Sequence, residues 1–117
     1  MYYIGVDLGT SAVKLLLMDE AGKIENIVSR EYPLSFPHPG WSEQAPEDWW
    51  RETQAGIRAL LAGFDAAKVK GIGAGGQMHG LVVLDENDAV IRPAILWNDG
   101  RTQKQVDGAA KDIKVLQ

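Results

Sequence analysis

Residues 4–24 read IGVDLGTSAVKLLLMDEAGKI, and this stretch decides the fold. Two segments rich in aliphatic and aromatic residues, YYIGVDLG and AVKLLLMD, flank Gly9-Thr10-Ser11, a break short enough for a β-hairpin. A second turn at residues 19–22 leads into KIENIVSREY, where apolar and polar residues alternate as in a half-exposed strand. The sequence therefore predicts that the chain opens with three antiparallel strands.

A helix is predicted after a proline-rich crossing. The segment from Tyr32 to Pro46 holds four prolines, and because proline lacks an amide donor we expect a loop there. Pro46 suits the first turn of a helix, and the acidic residues that follow it are favoured by the helix dipole. The helix is expected to end near Gly63. Its apolar stripe is predicted to consist of Trp50, Ile57 and Leu61.

The second half of the chain is predicted to return to strands and to end in a helix. KVKGIGAGG, LVVLD and AVIRPAILW are strand-like, with a turn at residues 86–88 between the last two. The polar stretch from Asp99 onward has a helical pattern, in which Gly108 is a weak point. Strands, a crossover helix and a further strand predict an α/β domain with a mixed sheet.

Gly71, Gly73 and Gly76 match the Gly-x-Gly-x-x-Gly pattern of dinucleotide-binding loops. That pattern binds a pyrophosphate only where the loop follows a strand and opens a helix. The residues that follow, 81–84, have strong β preference and no helical period. We therefore expect no dinucleotide site here, and a dehydrogenase remains an alternative that requires a helix after Gly76.

Composition narrows the class of protein. A chain of 117 residues with 45% hydrophobic and 24% charged residues is ordinary for one small globular domain. Its net charge of -4 disfavours nucleic acid as the main partner, and no apolar run approaches the roughly 20 residues that span a membrane. The absence of cysteine excludes disulfides and thiolate sites. We expect a cytoplasmic protein without nucleic-acid or membrane partners.

The stretch DLGTS, residues 7–11, is the better candidate for a phosphate site. A positive φ at Gly9 would aim several backbone amides into one concavity suited to phosphate oxygens, beside the hydroxyls of Thr10 and Ser11. Asp7 is placed to hold Mg²⁺ through water, and Lys14 to reach a phosphate as a point charge. A hairpin whose turn residues serve geometry alone remains an equal alternative at this point.

The same residues carry a resemblance to a known family. IGVDLGTSAVKLLLMDEAGKI resembles the first phosphate segment of the carbohydrate kinases related to glycerol kinase, gluconokinase and xylulokinase, the FGGY family. Three later segments, HPGWSEQAPEDWW, GIGAGGQMHGLVVLD and RPAILWNDGRTQKQV, are similar in order and spacing to the xylulokinase branch in particular. The resemblance implies the actin-like, ribonuclease H-like sugar-kinase ATPase fold, incomplete in this chain.

The resemblance also implies an activity and a set of site residues. The reaction is the ATP-dependent phosphorylation of D-xylulose at its 5-hydroxyl, with ATP and Mg²⁺ as cofactors. Asp7 resembles the acidic residue near the metal and the transferring phosphate. The residues that match phosphate contacts are Gly9, Thr10, Ser11 and Lys14. Those that match or adjoin the sugar pocket are Gln77, Met78, His79, Trp97, Asn98, Asp99 and Arg101.

The chemistry of a sugar suits part of this second set. A sugar offers hydroxyls and an apolar C–H face, so hydrogen-bonding groups such as Gln77 and His79 complement a thioether or aromatic surface such as Met78 and Trp97. A histidine satisfied by backbone and a tryptophan buried in a sheet are the alternatives for His79 and Trp97.

The resembled kinases are several-fold longer than this chain. Residues 1–117 therefore correspond to the N-terminal portion of the first, sugar-binding lobe, without the rest of that lobe or the second lobe. The general base of the family is an aspartate far downstream, so the isolated chain is predicted to be inactive. Alternatives are a kinase for another ketose or polyol and a non-catalytic, actin-like nucleotide-binding or assembly domain. A homodimer is envisaged only for the full-length protein.

Overall fold

The structure, a computed structural model, describes residues 1–115. The last two residues of the predicted C-terminal helix therefore lie outside the described residues. The elements in chain order are β1 (Tyr2–Leu8), β2 (Ala12–Asp19), β3 (Ile24–Glu31), β4 (Glu43–Gln44), α1 (Pro46–Leu60), a 3₁₀ turn (Ala66–Lys68), β5 (Val69–Gly76), β6 (Ala94–Ile95) and α2 (Gln103–Val115). No helix within residues 1–115 is long and apolar enough to cross a membrane.

The main sheet has the strand order β3-β2-β1-β5. β1 pairs antiparallel with β2, and β2 with β3, whereas β5 runs parallel to β1. This arrangement confirms the mixed sheet and its three antiparallel opening strands. The register sets Asp7 between Lys14 of β2 and Gly75 of β5. A second, two-stranded sheet pairs β4 with β6.

The β1–β2 hairpin is closed by the Gly9 amide, which donates to the Ala12 carbonyl at 3.0 Å. The predicted positive φ at Gly9 was wrong, because the positive-φ glycines of the described chain are Gly22, Gly40 and Gly63. Glycine is required at position 9 for space instead. A Cβ atom there would lie 2.9 Å from the Ala12 carbonyl oxygen, closer than real Cβ contacts.

The core lies between α1 and one face of the sheet. Alternation along β1 and β2 turns every second side chain towards the helix, where the buried residues are Ile4, Val6, Val13, Leu15 and Leu17, joined by Tyr32 and Leu60. This pattern is the physical reason that the first nineteen residues fold as a hairpin: only a period of two places all five aliphatic residues on one side.

The predicted start of α1 at Pro46 is confirmed, but its buried stripe differs from the prediction. The helix buries Thr53, Gly56 and Leu60, while Ile57 is half-buried and Trp50 is 65% exposed. The helix approaches the sheet through Gly56, whose missing side chain leaves room for Leu15. Hydrophobicity alone predicts that Trp50 is buried. The close approach of the helix to the sheet at Gly56 overrides that preference.

We expect Gly56→Ala to destabilise the fold by about 1–2 kcal/mol. A Cβ at this position would lie 2.5 Å from Leu15 Cδ1, and overpacking of this kind costs about 1–3 kcal/mol against a helix-propensity gain of up to about 1 kcal/mol. Gly108→Ala is the matched control, because a Cβ there meets nothing within 4 Å and only the propensity gain remains. Urea unfolding of both variants measures the difference; stabilisation by both changes would contradict this packing.

The chain between β5 and α2 is mostly extended without forming the two predicted strands. LVVLD and AVIRPAILW are joined by isolated bridges, Leu84–Val90 and Leu81–Ile95, and only residues 94–95 form a strand. Pro93 lacks the amide that a continuous ladder needs at that point. The predicted turn is present, since the Asp85 amide donates to the Ala89 carbonyl at 2.9 Å. No helix follows Gly76 before Gln103 in this described stretch, which removes the dinucleotide-binding alternative.

Candidate functional site

A cleft of about 430 Å³ opens at the end of the main sheet where β1 and β5 terminate. Its lining combines the β1–β2 hairpin with the loop that follows β5 and with one aromatic residue from further along the chain. The lining residues are Asp7, Gly9, Thr10, Gly76, Gln77, Met78, His79 and Trp97. The structure thus brings together seven of the predicted site residues from three separate stretches of sequence.

Parallel pairing of β1 and β5 is what joins the hairpin to the QMH loop, residues 77–79. The carboxyl ends of parallel neighbours lie at one edge of a sheet, where ligand sites of α/β proteins form. The Gln77 amide extends the pairing by donating to the Leu8 carbonyl at 2.8 Å. Gly76 permits this contact, because a Cβ there would lie 2.7 Å from the Leu8 carbonyl oxygen.

The hairpin presents part of its backbone to the cleft. The Gly9 amide is occupied by the Ala12 carbonyl, so it does not contribute to the anion-binding concavity that the sequence predicts. The Thr10 and Ser11 amides donate no hydrogen bond to any described residue. The Thr10 amide and hydroxyl, which belong to the cleft lining, are groups that can meet phosphate oxygens, and the Ser11 amide follows in the turn just outside the lining.

Tyr32 supports the β1–β2 hairpin from the side of the hydrophobic core. It is buried in the core cluster, and its hydroxyl donates to the Gly9 carbonyl. Burial, and secondarily the negative charge of Asp7, raises the pKa of Tyr32 to about 12. The hydroxyl therefore keeps its proton at neutral pH and remains a donor that holds the turn in place.

Trp97 crosses the cleft to contact the hairpin. Its indole Nε1 donates to the Thr10 hydroxyl at 3.0 Å, and 57% of the residue stays exposed. The alternative of a tryptophan buried in the sheet is therefore not what the structure shows. An exposed indole fixed at one end by a hydrogen bond offers an apolar surface at a defined position.

The QMH loop adopts an unusual backbone conformation. His79 has φ 64°, in the left-handed region that few non-glycine residues enter. Its side chain and that of Met78 are exposed in the cleft, with Met78 at 69%. Left-handed residues of this kind cluster at binding and catalytic sites. The loop therefore displays an imidazole and a thioether instead of burying them.

Ser11 and Lys14, predicted phosphate contacts, do not line the cleft itself. Ser11 is exposed in the turn, and Lys14 projects from β2 beside Asp7. Lys14 and Asp7 share a second groove of about 410 Å³ over the open face of the sheet. Asp7 borders both depressions and so stands between them.

Asn98, Asp99 and Arg101, predicted near the sugar, lie outside the cleft lining. Asn98 is exposed beside the loop at residues 36–42. Asp99 and Arg101 are held by each other, because the Arg101 guanidinium donates to the Asp99 carboxylate at 2.7 and 2.9 Å. The Asp99 and Arg101 side chains are only 2% and 11% exposed. Their charged groups therefore pair with each other inside the protein.

The Asp99–Arg101 pair is the centre of a charged clamp. Asp99 accepts the Ser42 amide at 2.7 Å, while Arg101 also contacts Glu43 at 3.3 Å and lies 3.8 Å from the centre of the Trp41 ring. The Arg101 hydrogen bonds hold the pKa of Asp99 well below its usual range, against the opposing effect of burial. The clamp fixes the segment that carries Trp97 against the segment that carries β4.

Gln44 is the residue of this region that the sequence analysis missed. It is 2% exposed, and its carboxamide contacts Thr10, Trp49 and Gln77. A buried glutamine in a two-residue strand has no periodic pattern to mark it. Its role depends on three partners that only the fold brings together.

The cleft offers one carboxylate, Asp7, to a metal ion. Among residues 1–115 no three metal-ligating side chains cluster in a cage. Mg²⁺ commonly takes one or two protein carboxylates and completes its shell with water and phosphate oxygens. An exposed carboxylate beside free amides fits that kind of binding.

Comparison with known proteins agrees with this fold. The structural neighbours are sugar kinases with the actin-like fold, and this chain matches part of them. The chain belongs to the FGGY family of carbohydrate kinases, whose N-terminal domain matches residues 2–116.

Three relatives illustrate the similarity. The Xylulose kinase of Klebsiella pneumoniae is 50% identical over 103 residues, which cover 88% of this chain and 21% of that protein. The crystal structure of the xylulose kinase from Brucella ovis superposes with a TM-score of 0.90 at 44% identity, covering 97% of this chain and 24% of that one. The ligand-bound xylulose kinase from Lactobacillus acidophilus gives 0.91 at 33% identity, covering 95% and 22%. The chain thus spans about a fifth of the length of its curated relatives.

Proposed function

We propose that this chain is the N-terminal segment of a kinase that transfers the γ-phosphoryl group of ATP to the 5-hydroxyl of D-xylulose. The observation that carries the proposal is the cleft itself, in which Asp7, Gly9 and Thr10 of the hairpin line the same depression as the QMH loop and Trp97. Relatives of similar sequence that are named xylulose kinases support the choice of sugar.

The hairpin side of the cleft is suited to the phosphates. Phosphoryl transfer depends on positioning and on neutralising charge, and there is little covalent chemistry for the protein to perform. The free Thr10 amide lies in the cleft lining, where it can donate to phosphate oxygens, and the free Ser11 amide follows it in the turn. Lys14 adds a positive charge from the neighbouring groove, which Asp7 also borders. Asp7 is the residue that would hold a Mg²⁺ ion through water, and such an ion would supply further charge neutralisation.

The opposite side of the cleft is suited to a sugar. His79 and Gln77 offer hydrogen-bonding groups, while Met78 and the exposed indole of Trp97 offer an apolar surface to C–H groups. Because the indole is tied to the Thr10 hydroxyl, the sugar surface and the phosphate hairpin keep a fixed relative position. Fixed placement of two reactants is what converts their encounter into an effectively unimolecular step.

We expect the isolated 117-residue chain to show no turnover of xylulose. Asp7 is the one carboxylate among the described residues that line the cleft, and a kinase needs a second group to accept the proton of the attacking hydroxyl. A coupled ADP-release assay with xylulose, ATP and Mg²⁺ measures this. Turnover that disappears in Asp7→Ala would show that the chain is catalytically complete and would overturn the expectation.

A hybrid kinase tests the proposed function. In the hybrid, the matching segment of this chain replaces the aligned 103 residues of the Klebsiella pneumoniae relative. The proposal predicts that the hybrid phosphorylates D-xylulose with a kcat/KM within about tenfold of the parent enzyme, and that glycerol and gluconate are poor substrates. A hybrid that folds, as judged by circular dichroism and thermal melting, but prefers another sugar or polyol would assign this segment to a different kinase.

A further inference from the structure

One buried carboxamide connects the two sides of the cleft. Gln44 in β4 donates through Nε2 to the Thr10 carbonyl, while its Oε1 accepts from Trp49 Nε1 at 2.9 Å and from Gln77 Nε2 at 3.1 Å. Its partners therefore belong to the phosphate hairpin, the first turn of α1 and the QMH loop. At 2% exposure, Gln44 is shielded from bulk solvent.

The direction of every bond in this network follows from its two ends. An indole N–H can only donate, so the atom of Gln44 that faces Trp49 must be its oxygen. A backbone carbonyl can only accept, so the atom that faces Thr10 must be the Gln44 nitrogen. Because Gln77 also meets the Gln44 oxygen, Gln77 must present its NH₂ group. Trp49 and Thr10 thus determine the orientation of both carboxamides.

In this orientation, one polar atom of the Gln77 side chain lacks a hydrogen-bond partner among the described residues. That atom, Oε1, is buried. The loop is held on a second side, because the Gln77 amide donates to the Leu8 carbonyl. Thr10 is likewise held twice, through its carbonyl by Gln44 and through its hydroxyl by Trp97. The hairpin and the loop are consequently joined as one unit through Gln44.

We propose that Gln44 is a positioning residue for phosphoryl transfer, which sets the distance and orientation of the phosphate hairpin relative to Gln77 and the rest of the QMH loop. Gln44 acts through Thr10 and Gln77 and does not itself line the cleft. The inference rests on the proposed function for its catalytic consequence. The hydrogen bonds that connect the two segments are made entirely by residues of this chain and do not depend on that function. Trp49 anchors the orientation from α1.

The connection is tested first in the isolated chain by NMR. In Gln44→Met, which retains side-chain bulk but has no donor or strong acceptor, the Trp49 indole N–H and the Gln77 side-chain NH₂ should both lose protection from hydrogen exchange by about tenfold or more. Gln44→Glu should restore protection, because burial favours the neutral acid, which has an acceptor oxygen and an O–H donor in place of the amide. Gln54→Met, which makes the same substitution at a half-buried position of α1, is the control. Unchanged protection of both groups in Gln44→Met would overturn the connection.

The catalytic consequence is tested in the hybrid kinase. Gln44→Met should lower kcat by about 10- to 100-fold with the KM for ATP within threefold, because small misplacements of reacting groups are costly. Gln44→Glu should recover most of this loss, and Gln54→Met should match the unmodified hybrid.

A double-mutant cycle with Gln77→Met then distinguishes positioning from general loss of stability. If Gln44 acts through Gln77, the combined loss of kcat should be at least fivefold smaller than the product of the two single losses. Losses that multiply, or a Gln44→Met hybrid with kcat within twofold of the unmodified hybrid, would overturn the positioning role. An unmodified hybrid without xylulokinase activity would count against the proposed function instead, and the NMR comparison would still decide whether Gln44 joins the two segments.

Discussion

Arg101→Met is expected to lower the melting temperature of the chain by about 10 °C or more. Arg101 donates to both oxygens of Asp99, contacts Glu43 and stacks on Trp41. Its removal leaves the Asp99 carboxylate, 2% exposed, without its cation. Removing one partner of a buried ion pair lowers stability much more than replacing both partners by apolar residues, because the remaining charge is uncompensated.

Arg51→Met is the matched control for this change. Arg51 also pairs with an aspartate, Asp48, but its side chain is 60% exposed, and surface pairs contribute little. Thermal melting by circular dichroism compares the two variants directly. Equal, small shifts would show that the Asp99–Arg101 pair is no more than a surface contact.

The pH dependence provides a second readout of the same clamp. Hydrogen bonds from Arg101 hold the pKa of Asp99 below its ordinary value of about 3.9, so the unfolded chain takes up this proton first as the pH falls. The contribution of the pair is therefore fully present above about pH 4 and is lost below it. The difference in melting temperature between the unmodified chain and Arg101→Met should shrink from pH 5 to pH 3. A difference that grows over this range would contradict the sign of the shift.

Asp7→Asn in the hybrid kinase is expected to lower kcat by about 100- to 1,000-fold. Asp7 is the penultimate residue of β1, borders both the cleft and the second groove, and pairs in register with Lys14. Asparagine keeps the size of the side chain but removes the carboxylate that would hold a hydrated Mg²⁺ ion beside the phosphates. The loss should fall on kcat more than on the KM for xylulose, since the sugar-facing residues are untouched.

Asp65→Asn is the control for charge removal alone. Asp65 accepts the Ala67 amide at the start of the 3₁₀ turn, and asparagine caps such turns about equally well. Steady-state kinetics of both variants at saturating ATP and Mg²⁺ make the comparison. A kcat for Asp7→Asn within threefold of the unmodified hybrid would remove Asp7 from the catalytic assignment.

Local patterns in the sequence predict the first part of the fold well. Buried residues alternate strictly along β1 and β2, and a proline followed by acidic residues marks the start of α1. Both patterns depend only on residues that are neighbours in the sequence. Of the strands predicted between residues 81 and 97, the first does not form and the second is reduced to Ala94–Ile95, because a strand requires a partner at the right register and Pro93 interrupts the available pairing. Helix contacts at Gly56 also depend on the opposing sheet and are not visible in α1 alone.

The candidate site shows the same division. The hairpin and the QMH loop are recognisable as motifs, and the parallel pairing of β1 with β5 brings them together. Asp99 and Arg101 have the polar character of ligand contacts, yet their separation by one residue lets them satisfy each other. Gln44 lies within the segment HPGWSEQAPEDWW, but nothing local marks its role, because its three partners are 5, 33 and 34 positions away. A local pairing thus decides the role of Asp99 and Arg101, and tertiary contacts decide that of Gln44.

The most direct test of the central claim is the pair of KM values of His79→Asn in the hybrid kinase. Asparagine tolerates the left-handed backbone of position 79 but withdraws the imidazole from the cleft. If the QMH loop holds the sugar and the hairpin holds the phosphates, the KM for D-xylulose should rise by about tenfold while the KM for ATP stays within twofold. A rise in the KM for ATP with an unchanged KM for xylulose would contradict the division of the cleft into a sugar side and a phosphate side.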